Sequence, residues 1–196
     1  MVLFVSKNLF WPLIRFFIKD LKGIDNLPDK RFILASSHSS FIDAPLLIFM
    51  VARYRNKRLR FLATKTSFTG IFWKFLFKHF GAIRVNGSVE KAVKALRKGD
   101  CVGIVPEGAR SYSGRIGKAT HSGLGVIALK TGLPVVPVAL KTFDFWNRFH
   151  KLPSFKRNIK VNIGKPMYFK RKLTKKNARF VVSAVMKEIK RLHKNA

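Results

Sequence analysis

The sequence is poor in cysteine, in acidic residues and in long uncharged apolar runs. One cysteine, Cys101, stands among 196 residues, which excludes a disulfide framework and a cysteine-rich zinc site and indicates a reducing compartment. Histidines and carboxylates are too few and too scattered to predict a metal site. No glycine-rich nucleotide-binding loop is present, so we predict no cofactor. No stretch reaches the roughly 20 largely uncharged residues that a membrane-spanning helix needs.

Positive charge and phenylalanine are what the sequence has in excess. Forty lysines and arginines oppose nine acidic residues, giving a formal net charge of +31, and 19 residues are phenylalanine. Such a field indicates an anionic partner, namely nucleic acid, an anionic membrane surface or an acidic ligand. Hydrophobic residues make up 47% of the chain, which is enough to build the core of a single domain.

The N-terminal segment predicts an amphipathic helix. Apolar side chains recur at spacings of three and four, at Phe10, Leu13 and Phe17, which places them on one helical face. Basic residues interrupt the segment, as expected of a helix that lies among lipid headgroups rather than one that crosses the bilayer. We therefore expect an amphipathic membrane-associating helix at residues 1–22 and one domain at residues 23–196. A surface helix packed on that domain is the alternative.

The rest of the pattern predicts an α/β fold. Short apolar runs predict six strands, at residues 31–35, 59–63, 82–85, 101–105, 133–140 and 159–163. Periodic segments predict helices, at residues 44–52, 68–80, 88–98, 122–131 and 173–192. Strands that alternate with helices favour a single domain with a mixed, largely parallel central sheet flanked by helices.

Two segments differ from this regular alternation. The helix predicted at 68–80 is apolar on nearly all sides, so we expect it in the core, against lipid, or partly in each. Residues 141–158 are rich in aromatic and basic side chains and fit no regular element. We expect a surface excursion there.

One histidine is spaced to work with a carboxylate. His38 is followed five residues later by Asp43, where a predicted strand leads into a helix, a usual place for active sites in open α/β sheets. A neutral imidazole can take a proton from an attacking hydroxyl, and a carboxylate can fix its tautomer and stabilise the imidazolium. The alternative is a loop histidine and an aspartate that caps a helix. No Gly-x-Ser-x-Gly nucleophile motif is present, so a bound alcohol or water would attack directly.

A second cluster follows the strand predicted at 101–105. Arg110 can make forked contacts to a phosphate, and Gly108 and Ser111 can add backbone or hydroxyl donors. Glu107, one of three glutamates in the chain, would pair with an arginine or accept a hydrogen bond from the hydroxyl of a bound acceptor. The alternative is a structural Glu–Arg pair in a turn.

In this order and spacing, the motifs resemble those of the glycerolipid acyltransferases, the family that includes 1-acylglycerol-3-phosphate acyltransferase. The resemblance covers about residues 23–166. It rests on the His-x4-Asp box at His38 and Asp43, on Lys65 after a predicted strand, and on four sequence blocks. These blocks are Gly-Ile-Asp-Asn-Leu-Pro at 23–28, Pro-Glu-Gly-Ala-Arg-Ser at 106–111, Gly-Leu-Pro-Val-Val-Pro-Val at 132–138 and Gly-Lys-Pro at 164–166.

The resemblance implies an acyltransferase without a covalent enzyme intermediate. His38 would be the general base on the acceptor hydroxyl, and Asp43 would orient it. The alcohol would attack the thioester of acyl-CoA or of an acyl carrier protein, and 1-acylglycerol-3-phosphate as acceptor would give phosphatidic acid. The residues that match the remaining motifs would bind the acceptor, namely Lys65, Glu107, Gly108, Arg110 and Ser111. Of these, Arg110 and Lys65 would contact its phosphate.

Such substrates are amphiphiles, so the implied partners include an anionic membrane surface as well as a lysophospholipid and an acidic thioester donor. We expect a peripheral or monotopic protein on the cytoplasmic face, held by basic groups and by phenylalanine and tryptophan. Specific nucleic-acid binding is not expected, because no nucleic-acid module is present.

Two alternatives stay open. Gly87 stands where the family usually has arginine, and His121 stands near a usual lysine position, so the acceptor could instead be a lyso-aminolipid, another lysophospholipid or glycerol 3-phosphate. A non-catalytic protein that binds anionic lipid or nucleic acid through its charge is the second alternative.

Overall fold

The computed structural model of the protein describes residues 2–63, 82–84 and 87–196. The strands are β1 (Ile18–Lys22), β2 (Ile33–Ser36), β3 (Leu59–Ala63), β4 (Ile83–Arg84), β5 (Cys101–Ile104), β6 (Val135–Lys141) and β7 (Ile159–Ile163). The helices are α1 (Val2–Val5), α2 (Trp11–Phe16), α3 (Asp43–Arg55), α4 (Ser88–Arg97), α5 (Gly123–Thr131) and α6 (Lys175–Lys194). A π-helical turn at Ser6–Phe10 joins the first two helices, and a 3-10 turn at Ile24–Asn26 follows β1.

The strands form one seven-stranded sheet in the order β1-β7-β6-β2-β5-β3-β4. Among the described strands, β6 and β7 alone pair antiparallel, and the other five neighbouring pairs are parallel. The predicted α/β class with a mixed, largely parallel sheet is thus confirmed, and strands occur at all six predicted places.

The seventh strand corrects the prediction for the N-terminal segment. Helical structure ends at Phe16, and Ile18–Lys22, predicted as the end of the helix, forms the edge strand β1. Ile18 is fully buried and lies opposite Ile159 of β7 in a parallel pair. The helical prediction is wrong here because pairing with a strand far along the chain outweighs the local spacing of apolar residues.

The N-terminal helix, residues 2–16, packs on α3 with one side and exposes apolar side chains on the other. Trp11 is buried, and the ring of Phe10 stacks on that of Phe49 in α3 with centroids 5.0 Å apart. Leu13 and Phe16 are largely exposed. Packing on the domain and an outward apolar side therefore occur together in this helix, and its association with a membrane stays a prediction.

The sheet separates two hydrophobic layers. One layer joins α3 and the N-terminal helix to one face, with Leu34 of β2 among its buried side chains. The other layer joins α4, α5 and α6 to the opposite face through side chains that include Ile33 and Ala35. Consecutive residues of β2 thus enter opposite layers, as the two-residue period of a strand requires.

Within the described ranges, no helix has both the length and the apolar character needed to cross a bilayer. In the same ranges, no group of three or more histidine, cysteine, aspartate or glutamate side chains is arranged to hold a metal ion. The helix predicted at 68–80 and the predicted acceptor ligand Lys65 lie outside the described residues.

Candidate active site

The candidate site lies where three neighbouring parallel strands end. His38 follows the end of β2, Glu107 follows the end of β5, and Thr142 follows the last residue of β6. Because β6, β2 and β5 are adjacent and parallel, their carboxyl ends meet at one edge of the sheet. Open α/β sheets place their ligand sites at this edge.

His38 and Asp43 are paired as the sequence predicts. The Nδ1 atom of His38 lies 2.8 Å from Oδ2 of Asp43, and the His38 side chain is 25% exposed whereas that of Asp43 is 3% exposed. A carboxylate oxygen accepts hydrogen bonds, so in the neutral form of His38 this contact places the proton on Nδ1 and the lone pair on Nε2. The imidazole is therefore held in the tautomer that can take a proton from an acceptor hydroxyl.

Asp43 is fixed from several directions besides its contact with the imidazole. Its Oδ2 accepts hydrogen bonds from the backbone N–H groups of Ser39 and Ser40, both at 2.8 Å. Its Oδ1 accepts a short hydrogen bond from the hydroxyl of Thr142. The N-cap position of α3 belongs to Ile42, and these partners lie outside the helix. Asp43 therefore organises the loop that carries His38, which the simple cap alternative does not require.

Glu107 ties the His38 loop to the segment that follows β5. Its Oε1 accepts from the backbone N–H of His38 at 3.3 Å, and its Oε2 accepts from that of Gly117 at 2.7 Å. The side chain is 7% exposed, and burial raises the pKa of its carboxyl, partly opposed by these two backbone donors. Both oxygens thus hold backbone, which is a different arrangement from the Glu–Arg pair considered from the sequence.

Gly108 and Ser111 shape the turn after Glu107. Gly108 has a φ of +75°, in the left-handed region that glycine adopts without strain, and a side chain there would collide with the hydroxyl of Thr120. The backbone N–H of Ser111 donates to the carbonyl of His38 at 2.7 Å, and its hydroxyl donates to the carbonyl of Arg115 at 2.7 Å. Ser111 therefore holds the same loop through the carbonyl group of His38.

Arg110 is the basic side chain of the candidate site that is placed to bind an anionic group. Its guanidinium carbon lies 3.7 Å from the centre of the Phe41 ring, a stacked cation–π geometry. One of its terminal nitrogens, Nη1, is buried without a hydrogen-bond partner. Burial lowers the pKa of this guanidinium, whereas the charge of Asp43 acts in the opposite direction. A buried guanidinium N–H without an acceptor is unusual, and an anionic group would satisfy it.

Three residues at the site were missed by the sequence analysis. Thr142 bonds Asp43, Phe41 stacks on Arg110, and the carbonyl of Trp146 accepts from the backbone of Phe41 and from the Ser40 hydroxyl. Only the position of Thr142, two residues after the strand predicted at 133–140, could have indicated its place. The only cysteine, Cys101, lies in β5, and burial raises the pKa of its thiol to about 11, so it is protonated at neutral pH.

The sequence and the fold were compared with known proteins. A family model described as Acyltransferase matches residues 18–141. A chloroplastic 1-acyl-sn-glycerol-3-phosphate acyltransferase from Brassica napus is 29% identical over 135 residues, covering 64% of this chain and 38% of that protein. A 1-acyl-sn-glycerol-3-phosphate acyltransferase from Borreliella burgdorferi is 29% identical over 155 residues, covering 74% of this chain and 57% of that protein. The chain thus spans between about two fifths and three fifths of these curated relatives.

A solved structure shares the fold. The crystal structure of a 1-acyl-sn-glycerophosphate acyltransferase from Thermotoga maritima superposes with a TM-score of 0.68 at 22% identity, covering 90% of this chain and 70% of that one. This likeness confirms the architecture. The roles of the individual site residues stay predictions.

Proposed function

The chain belongs to the acyltransferase family, and on that premise we propose that it transfers a fatty acyl group from acyl-CoA or acyl carrier protein to the hydroxyl of 1-acylglycerol-3-phosphate. The product would be phosphatidic acid. The observation that carries the proposal is the 2.8 Å contact between His38 Nδ1 and a buried, multiply bonded Asp43. This contact orients a base at the sheet edge where ligands bind.

The proposed reaction uses the free Nε2 atom of His38. Nε2 takes the proton of the acceptor hydroxyl as its oxygen attacks the thioester carbonyl, and Asp43 stabilises the imidazolium that forms. Collapse of the tetrahedral intermediate breaks the carbon–sulfur bond, and the imidazolium returns the proton to the leaving thiolate. No side chain is acylated, which agrees with the protonated state of the buried Cys101.

Arg110 supports an acceptor that carries a phosphate. Its partnerless Nη1 and its position near Asp43 suit a phosphate oxygen bound beside the base. Glu107 would then act by holding the backbone of His38 and Gly117, rather than by direct contact with the acceptor. Gly108 and Ser111 shape the same turn, and Lys65 keeps its role as a proposed second phosphate ligand.

One observation favours the alternative of a different acceptor. Gly87 occupies the family's usual arginine position and has a φ of +65° at the N-cap of α4. Side chains are disfavoured in this conformation, so the backbone here is built for glycine. Gly87 offers no side-chain contact to a phosphate, which favours an acceptor without one, such as a lyso-aminolipid. Glycerol 3-phosphate, the other alternative acceptor, would use the same His–Asp chemistry but carries a phosphate, so this position does not favour it.

The setting of the reaction follows from its substrates. We propose a peripheral or monotopic protein on the cytoplasmic face of a membrane, because the acceptor and product reside in a bilayer. The net charge of +31 suits an anionic leaflet and would also steer an anionic thioester donor.

The test is acyl transfer by the purified protein. Acyl-CoA and acyl carrier protein donors are each paired with 1-acylglycerol-3-phosphate, glycerol 3-phosphate and a lyso-aminolipid. Phosphatidic acid formed by the wild type and not by His38→Ala is the expected result. Transfer to a different acceptor only would change the proposed substrate and leave the proposed mechanism in place. Transfer by His38→Ala at the wild-type rate would refute the mechanism, provided both proteins show the same circular dichroism.

A further inference from the structure

The loop between β6 and β7, residues 142–158, exposes three large apolar side chains at three-residue spacing. Phe149, Leu152 and Phe155 are 67%, 70% and 64% exposed. Phe155 also has a φ of +55°, a conformation that a bulky side chain rarely adopts without support from its surroundings. We call these three exposed side chains the apolar tip.

One end of this loop is built into the candidate active site. Thr142 bonds Asp43, and the carbonyl of Trp146 accepts from the backbone N–H of Phe41 at 3.2 Å and from the hydroxyl of Ser40. These contacts are made in a buried part of the loop, where Thr142 and the nearby Asn147 are almost wholly inaccessible to solvent. The loop that carries the apolar tip is therefore rigidly joined to the loop that carries the base.

The other end of the loop is joined to the N-terminal helix. The rings of Phe155 and Phe17 lie 6.2 Å apart, and those of Phe17 and Phe16 lie 5.2 Å apart. The Arg157 guanidinium donates to the carbonyl of Ile18 at 3.1 Å. Phe16 is 71% exposed, so the apolar tip continues through Phe155 into the outward side of the N-terminal helix.

The charge of the loop matches an anionic surface. Its only acid is Asp144, whereas four basic residues lie beside the apolar tip: Arg148, Lys151, Lys156 and Arg157. Large apolar side chains between basic groups are the composition of segments that insert at the headgroup boundary of anionic bilayers. An acidic protein partner would account for the basic groups, but it would not account for the three exposed apolar side chains beside them.

We infer that the apolar tip inserts into an anionic bilayer and, together with the outward side of the N-terminal helix, sets the orientation of the protein on it. The loop then brings His38 and Asp43 to the membrane surface, where an acceptor lipid stands. The inference rests on the proposed function for its choice of substrate, but its test uses neither donor nor acceptor, so the two can fail separately.

The first experiment measures binding of the full chain to phosphatidylglycerol vesicles by sedimentation. The triple variant Phe149→Ser, Leu152→Ser, Phe155→Ser should weaken binding to the vesicles by about tenfold or more, because it removes the apolar side chains that would insert into the bilayer. The matched control is Tyr168→Ser, Leu173→Ser, Phe180→Ser, which removes three other exposed apolar side chains. The control should bind within about twofold of the wild type, since both triple variants keep the net charge.

A labelled variant keeps the inference testable if the triple variant fails to fold. The only native cysteine, Cys101, is buried, so a Phe149→Cys protein can be labelled there with a nitrobenzoxadiazole dye. The dye should shift to the blue on phosphatidylglycerol vesicles, and a dye at Tyr168→Cys should not. Equal binding by the two triple variants, or no blue shift at position 149, would overturn the inference. A shift at 149 produced by an acidic carrier protein or by raised protein concentration, and not by vesicles, would overturn it as well.

Discussion

Changing Asp43 to asparagine separates the charge of this side chain from its role as a hydrogen-bond acceptor. Oxygen must stay at the Oδ2 position, because Ser39 and Ser40 both donate backbone N–H groups there. The new NH₂ group then faces Thr142, whose hydroxyl can turn to donate to the Ser39 hydroxyl 3.2 Å away and accept from the amide. The asparagine protein can thus keep every partner of the native loop while losing the charge.

The magnitudes of the two effects differ enough to be distinguished. A hydrogen bond to a charged group contributes about 1.5–3 kcal/mol and a neutral one about 0.5–1.5 kcal/mol, so the two loop amides and Thr142 lose about 1 kcal/mol each. Relief of the burial cost of the carboxylate offsets part of this loss, which leaves about 1–3 kcal/mol and a fall in Tm of roughly 3–10 °C. Turnover should fall by about 10²–10⁴-fold, the usual contribution of general acid–base catalysis, because the imidazolium that forms on His38 loses the negative charge that stabilises it.

The assay is acyl transfer at saturating substrate, measured below the unfolding transition that calorimetry records for each variant. Asp29→Asn is the control, because its side chain is 97% exposed, and both its Tm and its turnover should match the wild type. If the Asp43→Asn protein keeps its turnover within about tenfold, the charge of Asp43 is not what prepares His38 as a base. The proposed stabilisation of the imidazolium by Asp43 would then be refuted, and the His38→Ala protein would decide whether His38 still acts as the base.

Three further changes test other parts of the structure. Arg110→Ala should raise KM for a phosphate-bearing acceptor about 10–100-fold, the loss of one charged hydrogen bond or slightly more. Burial and the nearby charge of Lys141 lower the pKa of His193 in the folded protein. The stability that the neutral imidazole contributes is therefore fully present above about pH 6.5, the ordinary pKa of histidine, and is lost as the pH falls through the lower pKa of the folded state. His193→Gln should therefore flatten the fall in Tm on acidification. Gly125→Ala should cost about 1–3 kcal/mol in urea unfolding, because its methyl group meets the Ala178 backbone in α6.

Each of these changes has a control in the same chain. Arg115→Ala removes an exposed guanidinium and should leave KM unchanged; an equal rise in KM would show that Arg110 acts through general charge. His150→Gln removes an exposed histidine and should leave the pH dependence of Tm intact, and a flattened curve there would contradict the assignment to His193. A side chain at Gly123 meets nothing within 4 Å, so Gly123→Ala should be harmless, and a cost equal to that of Gly125→Ala would refute the packing argument.

The sheet could be predicted from sequence wherever a strand is buried on both faces. β2 and β5 are buried at every position, so each can be recognised in the sequence as a short apolar run. The edge strand β1 has the sequence Ile-Lys-Asp-Leu-Lys, in which the two apolar residues are three apart and some positions are exposed. Its five residues fit the last turn of an amphipathic helix equally well, and only the distant partner β7 decides the outcome.

The candidate site shows the same division between local and distant information. The spacing of His38 and Asp43 predicted their contact, because both lie in one strand–loop–helix unit. The function of Glu107 could not be predicted from its neighbours, since its oxygens bind the backbone of His38 and Gly117, 69 and 10 residues away. The sequence motifs predicted Glu107 as a ligand of the acceptor, whereas in the structure its two carboxylate oxygens accept hydrogen bonds from the backbone.

The position of the His38 imidazole depends on the sheet more than on the loop that contains it. The loop after β2 is bonded by Glu107 and Ser111 from beyond β5 and by Thr142 from beyond β6. A shift in the register of either neighbouring strand would move these partners together and displace the imidazole. This explains why the His-x4-Asp spacing alone is weak evidence of catalysis, whereas the ordered set of motifs is specific. The motif after β5 helps to hold the loop that carries His38, so the two motifs must occur together for the imidazole to take this position.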